Sequence, residues 1–304
     1  MGEATVQQSG GAPVLELVEP APGVLYLVGT PIGNVEDLSP RARRVIAGVD
    51  HLACEDTRRG GLLLQALGLK RSLISFHQHN QASRLPHLLG PLAAGESVGV
   101  ISDAGLPGIS DPGELLVAAA RREGRQVICV PGPCAITTAL VSSGLPCDRF
   151  CFEGFLPAKA AHRRQRLREL AGEPRTLVLF EAPHRLLALL EDLLAELGDR
   201  PLRVARELTK RHEEQVGPTV HAALAHFRAT PPLGECTLVL GGAPVAAPVW
   251  KDDELRGALA ALMAEGLSAR DASQRLAERT GHRRRDLYAL LHRPEPGETD
   301  LSFQ

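Results

Sequence analysis

The sequence predicts an α/β protein built on a parallel sheet that is covered by helices. Short apolar runs typical of buried strands alternate with helical segments five times in the first half of the chain. A second series of strands and helices follows, and a chain of 304 residues is long enough for two domains. The composition, 44% hydrophobic and 23% charged, is that of an ordinary globular protein.

The first domain is predicted over residues 24–134. Residues 1–23, rich in Gly, Pro, Glu and Gln and without periodicity, are predicted to form a disordered tail. Ser39 is a plausible N-cap for the first helix, with Pro40 at its first position. The predicted strands are residues 24–29, 51–54, 73–76, 98–101 and 126–130, and the later helices are residues 61–67, 83–92 and 114–122.

The second domain is predicted over residues 135–243, and a linker with a basic helical module over residues 244–304. The second domain opens on a helix at residues 135–143. Its strands are expected at residues 151–155, 176–180, 202–205 and 235–240, and its further helices at residues 160–170, 186–197 and 220–227. The module, which resembles a helix-turn-helix, is expected to have helices at residues 252–264, 268–279 and 283–292.

Charged clusters follow the predicted strands at the point where each strand ends. Glu55 and Asp56 come directly after one strand, Asp103 after another, and Glu181 and Glu207 after two strands of the second half. Because the carboxyl ends of parallel strands share one edge of a sheet, this pattern favours a ligand site there. The richest loop, within VGVISDAGLPGISDPG at residues 98–113, is compatible with backbone amides beside a ligand and also with a plain connector.

Several function classes are excluded or disfavoured by what the sequence contains. The net charge of −2 excludes a protein that binds nucleic acid through its overall charge, so any polyanion site must be a local basic patch. The sequence has no GxxxxGK[ST], no GxGxxG after its first strand and no GxSxG, which disfavours P-loop, nicotinamide and α/β-hydrolase chemistry.

The cysteines and the apolar runs predict the cellular compartment of the protein. The six cysteines form no CxxC pair and no zinc spacing, so we expect free thiols and no metal. No signal peptide and no apolar run of membrane-spanning length is recognisable. We therefore expect a cytoplasmic protein that does not engage a membrane.

Six ordered motifs carry a resemblance to a known family. The chain resembles the ribosomal RNA small subunit methyltransferase I family, within the tetrapyrrole methylase superfamily, from about residue 25 to residue 242. The motifs are GTPIGN at residues 29–34, CEDTR at 54–58, ISDAGLPGISDPG at 101–113, VPGPCA at 130–135, FEAPHR at 180–185 and ARELTK at 205–210.

The resemblance implies a tetrapyrrole methylase-like fold, with a parallel sheet in the first domain and a mixed sheet in the second. It implies a homodimer that binds S-adenosylmethionine between the domains and methylates the ribose 2′-hydroxyl of a cytidine in the decoding centre of 16S ribosomal RNA. The positions that match the superfamily's cofactor contacts are Pro31, Ile32, Asp103, Ala104, Leu106, Cys134, Ala135 and Phe180. Cys134 departs from the serine that usually follows the PGP turn.

The chemistry of methyl transfer to a ribose needs a proton acceptor and cations. The candidate proton acceptors are Glu55, Asp56 and Glu181, with Glu207 as a further carboxylate at a strand end. Asp56 could instead pair with Arg58, and Glu181 with Arg185. Cations available for the RNA phosphates, besides the run at residues 163–168, are Arg58, Arg59, His184, Arg185, Lys210, Arg284 and Arg285.

Some alternatives stay open at this point. The arginines around the last predicted helix are equally compatible with an RNA-contacting surface and with a solvated helix face. The same fold would also serve a methylase of small tetrapyrrole-like substrates, or a ribosome-assembly factor without catalysis.

Overall fold

A computed structural model of the chain describes residues 20–244 and 250–292. The chain divides into two compact units, residues 1–243 and residues 244–304, and each is described by itself. Most of the predicted N-terminal tail (residues 1–19), most of the predicted linker (residues 245–249) and residues 293–304 lie outside the described residues. Ala21, within the predicted tail, donates its backbone N–H to the hydroxyl of Tyr26 at 2.8 Å.

The first sheet has five parallel strands in the order β3-β2-β4-β1-β5, which confirms the predicted parallel sheet. The strands are β1 Val24–Val28, β2 His51–Cys54, β3 Ile74–Ser75, β4 Val98–Ile101 and β5 Gln126–Val130. Strand β4, which precedes the glycine- and proline-rich loop, occupies the centre of the sheet. The loops that follow parallel strands all lie at the carboxyl edge of the sheet. The loop after β4 therefore lies at the middle of this edge, which is where parallel sheets bind ligands.

Helices cover both faces of the first sheet. They are α1 Pro40–Gly48, α2 Thr57–Ala66, α3 Gln81–Ala93 and α4 Glu114–Arg122, whereas the next helix, α5 Ala135–Ser142, packs on the second sheet. Alternate residues of β1 enter different cores, because side chains of a strand point to opposite faces. Tyr26 packs with Val45 and Ile46 of α1 on one face, whereas Leu25 packs with Leu88 of α3 and its neighbours on the other.

Helix α2 begins four residues earlier than predicted. Asp56 caps it, since its carboxylate accepts the backbone N–H of Arg58 at 2.8 Å. Gly60 then lies inside the helix, where a Cβ would come within 3.1 Å of the sulfur of Cys54. The glycine therefore allows a close helix–strand approach, and Arg58 of the CEDTR motif stands with Arg59 in the first helical turn. The predicted cap of α1 is confirmed, because Ser39 Oγ accepts the N–H of Ala42 at 3.0 Å.

The second sheet is mixed, as the resemblance implied. Its order is β6-β7-β10-β8-β9, with β6 and β7 parallel and the other neighbours antiparallel. The strands are β6 Phe150–Phe155, β7 Thr176–Glu181, β8 Leu202–Arg206, β9 Glu214–Val216 and β10 Cys236–Leu240. Strand β9 was not predicted, because its three residues form no apolar run and become a strand only by pairing with β8.

The two faces of the second sheet pack on different partners. One face is covered by α6 Ala160–Glu169, α7 Pro183–Leu197 and α8 Val220–Ala229. On the other face, Val178 and Val239 pack against Ile136 of α5 and against Ile32 in the loop after β1. This shared apolar cluster brings the carboxyl edge of the first sheet against the second sheet.

The arginines of α6 are held in ion pairs. Arg163 is buried and lies 2.7 Å from Asp192, whereas Arg166 lies 2.7 Å from Glu153. Arg168 pairs with Glu196 at 3.1 Å. The run at residues 163–168 therefore serves the packing of α6 on its neighbours, and we do not count it among the cations for RNA.

The second unit, described from residue 250, is a small helical module. Its helices are α9 Asp252–Ala264, α10 Ala269–Thr280 and α11 Arg284–Leu290. They share an apolar core that includes Leu259 and Leu276. The predicted boundaries of α10 are confirmed, since Ser268 accepts the N–H of Asp271 and Gly281 ends the helix at a φ of 74°. None of the helices in the described ranges has the length and apolarity needed to cross a lipid bilayer.

Candidate active site

A cavity of about 410 Å³ lies between the carboxyl edge of the first sheet and the second sheet. Its volume falls within the range of small-molecule sites. The first-sheet wall includes Ile32, Glu55, Arg59, Asp103, Ala104, Leu106, Asp111, Cys134 and Ala135. The second-sheet wall includes Phe155, Phe180, Glu181, Ala182, Glu235 and Thr237. Seven of the eight predicted cofactor positions therefore line one cavity, and the eighth, Pro31, precedes the lining residue Ile32 in the chain.

The loops that form the first-sheet wall are packed backbone to backbone. Thr30 and Gly105 exchange two backbone hydrogen bonds, of 2.9 and 3.1 Å, which join the loop after β1 to the loop after β4. A Cβ on Gly29 would lie 2.7 Å from the Cα of Gly132, so only glycine allows the approach of the loop after β5. The edge of the sheet is thus a fixed backbone surface rather than a set of independent loops.

Glu55 and Asp111 form a carboxyl pair on this wall. The Glu55 carboxyl, when protonated, donates a hydrogen bond to the Asp111 carboxylate. Burial, with the charges of Asp111 and Asp103, raises the pKa of Glu55 to about 7, and burial likewise raises the pKa of Asp111. Near neutral pH this pair can therefore gain or lose a proton.

Asp103 stands beside the carboxyl pair and is tied to α2. Its Oδ1 accepts the backbone N–H of Asp56 at 3.1 Å, and its Oδ2 lies 3.5 Å from Nε of Arg59. The side chain keeps about a fifth of its surface exposed, so it remains available to a cationic ligand in the cavity.

Asp56 does not belong to the cavity lining. Its carboxylate accepts the backbone N–H of Arg58 and two guanidinium hydrogen bonds, at 3.1 and 2.6 Å. The Arg58 hydrogen bonds lower the pKa of Asp56 to about 2, so it is a weak base. The pairing of these two side chains, weighed as an alternative from the sequence, is the arrangement found.

Glu181 is the charged group of the second-sheet wall and is 1% exposed. Its Oε1 accepts the N–H of Ala182 at 2.9 Å and lies 3.1 Å from Nε of Arg185. Within residues 20–244 and 250–292, no group donates a hydrogen bond to its Oε2. Burial raises the pKa of Glu181, although Arg185 acts in the opposite direction. An unpartnered carboxylate oxygen beside the cavity is suited to a positively charged ligand.

The remaining predicted cations lie outside the cavity lining. Arg58 is exposed on α2, and His184 is exposed at the start of α7. Arg185 donates to the carbonyl of Leu156 at 2.8 Å besides its contact with Glu181. Lys210 pairs with Glu207 at 2.9 Å, which leaves Glu207 outside the cavity lining as well. In the separate helical unit, the exposed first residues of α11 are Arg284 and Arg285.

Sequence reasoning missed several cavity residues on both walls. Asp111 is eight residues beyond Asp103 in the same loop, and only the fold of that loop brings it to Glu55. Glu235 and Thr237 stand at the start of β10, which runs antiparallel to β7 and so begins where β7 ends. The sequence did not predict that these two residues lie at the cavity, because the residues of a strand do not indicate the direction in which it runs within a sheet.

Two family models and several curated proteins match this chain. A family model described as Tetrapyrrole (Corrin/Porphyrin) Methylases matches residues 24–224, and one described as RsmI C-terminal HTH domain matches residues 251–293. The chain is 50% identical over 270 residues to the ribosomal RNA small subunit methyltransferase I of Synechocystis sp., covering 88% of this chain and 97% of that one. It is 45% identical to the protein of that name from Escherichia coli O157:H7, covering 88% and 93%.

Solved structures show the same fold. The uroporphyrin-III-C-methyltransferase of Thermus thermophilus aligns with a TM-score of 0.52 and 26% identity, over 72% of this chain and 94% of that one. A cobalt precorrin-4 methyltransferase aligns with a TM-score of 0.54 and 17% identity, over 72% and 95%. Both alignments cover a length close to that of the first compact unit.

Proposed function

This chain belongs to the tetrapyrrole methylase family and, within it, to the ribosomal RNA small subunit methyltransferase I group, and we propose that it methylates ribosomal RNA. The proposed donor is S-adenosylmethionine. The proposed acceptor is the ribose 2′-hydroxyl of a cytidine in the decoding centre of 16S ribosomal RNA, and the reaction is proposed to take place in the cytoplasm.

The charge of the cavity carries this proposal. Among the described residues, its lining has one guanidinium, that of Arg59, against five carboxyl groups, those of Glu55, Asp103, Asp111, Glu181 and Glu235. S-adenosylmethionine bears two positive charges, on its sulfonium and its ammonium, and one carboxylate. A negatively charged interior favours such a ligand and disfavours phosphate groups, so RNA phosphates belong at the rim.

The residues of the cavity fit the parts of this donor. Asp103 suits the ammonium, and the backbone amides of the loop after β4 suit the carboxylate. Ile32, Leu106 and Phe180 supply apolar surface for the adenine. The unpartnered Oε2 of Glu181 stabilises positive charge in the cavity. When bound, S-adenosylmethionine supplies an electrophilic methyl group on a sulfonium that departs as a neutral thioether.

We assign the proton transfer to Glu55. A new O–CH₃ bond forms as the S–CH₃ bond breaks, and the proton of the ribose hydroxyl passes to the Glu55 carboxylate. Because the pKa of Glu55 is about 7, the rate is expected to rise as the pH increases through that value. Holding the hydroxyl in line with the donor supplies a further share of the acceleration.

Cations of the protein surface are proposed to hold the RNA phosphates, Arg59 at the cavity lining and the others outside it. The cations we assign to this task are Arg58, Arg59, His184, Lys210, Arg284 and Arg285. Arg185 is assigned instead to Glu181, on the strength of their 3.1 Å contact. We also propose a homodimer, which the resemblance to the family implies. Sedimentation equilibrium would give the mass that decides this.

The decisive experiment uses small ribosomal subunits from cells that lack this gene product. The purified protein is incubated with them and with methyl-labelled S-adenosylmethionine, and the RNA is digested to nucleosides for mass spectrometry. Label in 2′-O-methylcytidine is the expected result. Label on a base, or label only in an added porphyrinoid, would overturn the proposal, and absence of donor binding by calorimetry would favour an assembly factor without catalysis.

A further inference from the structure

A second cavity, of about 330 Å³, adjoins the first. The two cavities share Glu55, Ser110 and Asp111 in their linings. The rest of the second lining comes from the loops that precede α3 and α4 and from the first residues of these two helices. Its side chains with hydrogen-bonding groups are those of Gln78 before α3, Gln81 in α3 and Glu114 in α4. The carboxyl pair therefore stands in the partition between two compartments.

Gln78 and Glu114 of this second cavity are exposed and Gln81 is half-buried, so a ligand can reach all three. In the described part of the chain, no side-chain hydrogen bond or ion pair involves the carboxamides of Gln78 and Gln81 or the carboxylate of Glu114. Leu115 adds an apolar surface and is 46% exposed. A compartment with two apolar side chains, those of Pro112 and Leu115, and several donors and acceptors without a protein partner matches a flat polar ring, such as a nucleobase, better than an aliphatic group.

We propose that this second cavity binds the base of the nucleotide whose ribose is methylated, and that it selects cytosine. This inference rests on the proposed function. In a nucleotide the base and the 2′-hydroxyl are attached to adjacent ribose carbons. A ribose at the partition would present its hydroxyl to Glu55 on one side and its base to Gln78, Gln81 and Glu114 on the other. Reaching the cavity requires the base to leave the RNA stack, as other enzymes that act on nucleotides require.

The side-chain chemistry favours cytosine over uracil. Cytosine presents an exocyclic amino donor beside two acceptors, the ring N3 and the carbonyl O2. The Glu114 carboxylate accepts from the amino group, and the carboxamides of Gln78 and Gln81 donate to the two acceptors. Uracil has a carbonyl oxygen in place of the amino group, which would face the carboxylate and be repelled. Contacts of this kind typically discriminate roughly 10-fold to 100-fold between bases.

The test compares Gln78→Ala, Gln81→Ala and Glu114→Gln with Gln65→Ala, an exposed glutamine of α2 outside both cavities. The substrates are small subunits assembled from RNA with cytidine, or with uridine, at the methylated position, which mass spectrometry of RNase fragments of the labelled RNA maps beforehand. We expect all four variants to bind S-adenosylmethionine within about twofold of wild type. The three cavity variants should lose about 10-fold to 100-fold in kcat/KM, and Glu114→Gln should lower the cytidine-to-uridine ratio at least tenfold.

The ratio between the two substrates is independent of the folded fraction of a variant, so poor folding cannot imitate the expected result. Cavity variants that match Gln65→Ala in both kcat/KM and ratio would overturn the second-cavity proposal while the wild-type activity upholds the proposed function. A wild-type protein that methylates neither subunit would overturn the proposed function and this inference together.

Discussion

Both walls of the cavity carry carboxylates, but the charged groups beside these carboxylates differ between the two walls. On the first-sheet wall, Glu55 faces Asp111, and the nearby cation that lowers its pKa is Arg59. On the second-sheet wall, Glu181 is buried but lies 3.1 Å from Arg185. The nearest charged partner of a buried carboxylate therefore decides how readily that carboxylate gains or loses a proton. A carboxyl facing another carboxyl exchanges protons near pH 7, whereas a guanidinium beside a buried carboxyl opposes the rise in pKa that burial causes.

Removing the carboxylate from the first wall should have the largest effect. We expect Glu55→Gln to lower kcat about 10²-fold to 10³-fold, because the ribose proton loses its acceptor. The rise of kcat with pH near 7 should disappear as well. Initial rates from pH 5.5 to 8.5, with donor affinity measured by calorimetry, check both expectations.

Asp56→Asn is the control for Glu55→Gln, because it removes the carboxylate of the next residue, which lies outside the cavity lining. Asparagine caps helices as well as aspartate does, so α2 should stay intact. We expect kcat to change by less than about threefold. A loss equal to that of Glu55→Gln would move the proton-accepting role to Asp56.

Removing the guanidinium of Arg185, the partner of Glu181 on the second-sheet wall, should have the next largest effect, and this effect is on stability. Arg185→Met leaves the buried Glu181 without its cation, and we expect the free energy of unfolding at pH 8 to fall by about 2–3 kcal/mol. The raised pKa of Glu181 would rise further, and protonation relieves the unpaired charge. The loss should therefore be smaller at pH 5.5 than at pH 8. Urea denaturation at the two pH values measures it, and equal losses would show that Arg185 does not stabilise the charged form of Glu181.

Asp103→Asn addresses the donor rather than the proton. Asparagine keeps an oxygen for the N–H of Asp56 but removes the negative charge that we assign to the ammonium. We expect the Kd of S-adenosylmethionine to rise at least about tenfold, which is about 1.4 kcal/mol. Calorimetry measures the Kd, and an unchanged value would remove Asp103 from the donor site.

The smallest effect concerns the stability of the first wall. The pKa of Glu55 rises from 4.5 to about 7 in the folded protein, so the folded state binds more protons than the unfolded state between these values. The contribution of this proton to stability is present at low pH and is lost as the pH rises through 7. Between pH 5.5 and pH 8 the Tm of the wild type should therefore fall about 2–4 °C more than that of Glu55→Gln. Parallel Tm values in differential scanning calorimetry would contradict the shifted pKa.

The sequence determined most of the local structure, since local patterns decide it. The apolar run at Val98–Ile101 and the amphipathic segment at Glu114–Arg122 predicted β4 and α4 to the residue. Caps such as Ser39 and Ser268 marked helix starts, because the group that each satisfies lies three residues away. The order of polar clusters at strand ends predicted which edge of the first sheet carries the site.

The tertiary structure decided what depends on distant partners. Strand β9 exists only through its pairing with β8, and Glu235 reaches the cavity because β10 runs against β7. Glu55 and Asp56 are neighbours in sequence, yet one pairs with Asp111 and the other with Arg58. A carboxylate's proton affinity is set by its burial and by the charges around it. These follow from chain segments far apart in sequence, so the residue type alone does not contain them.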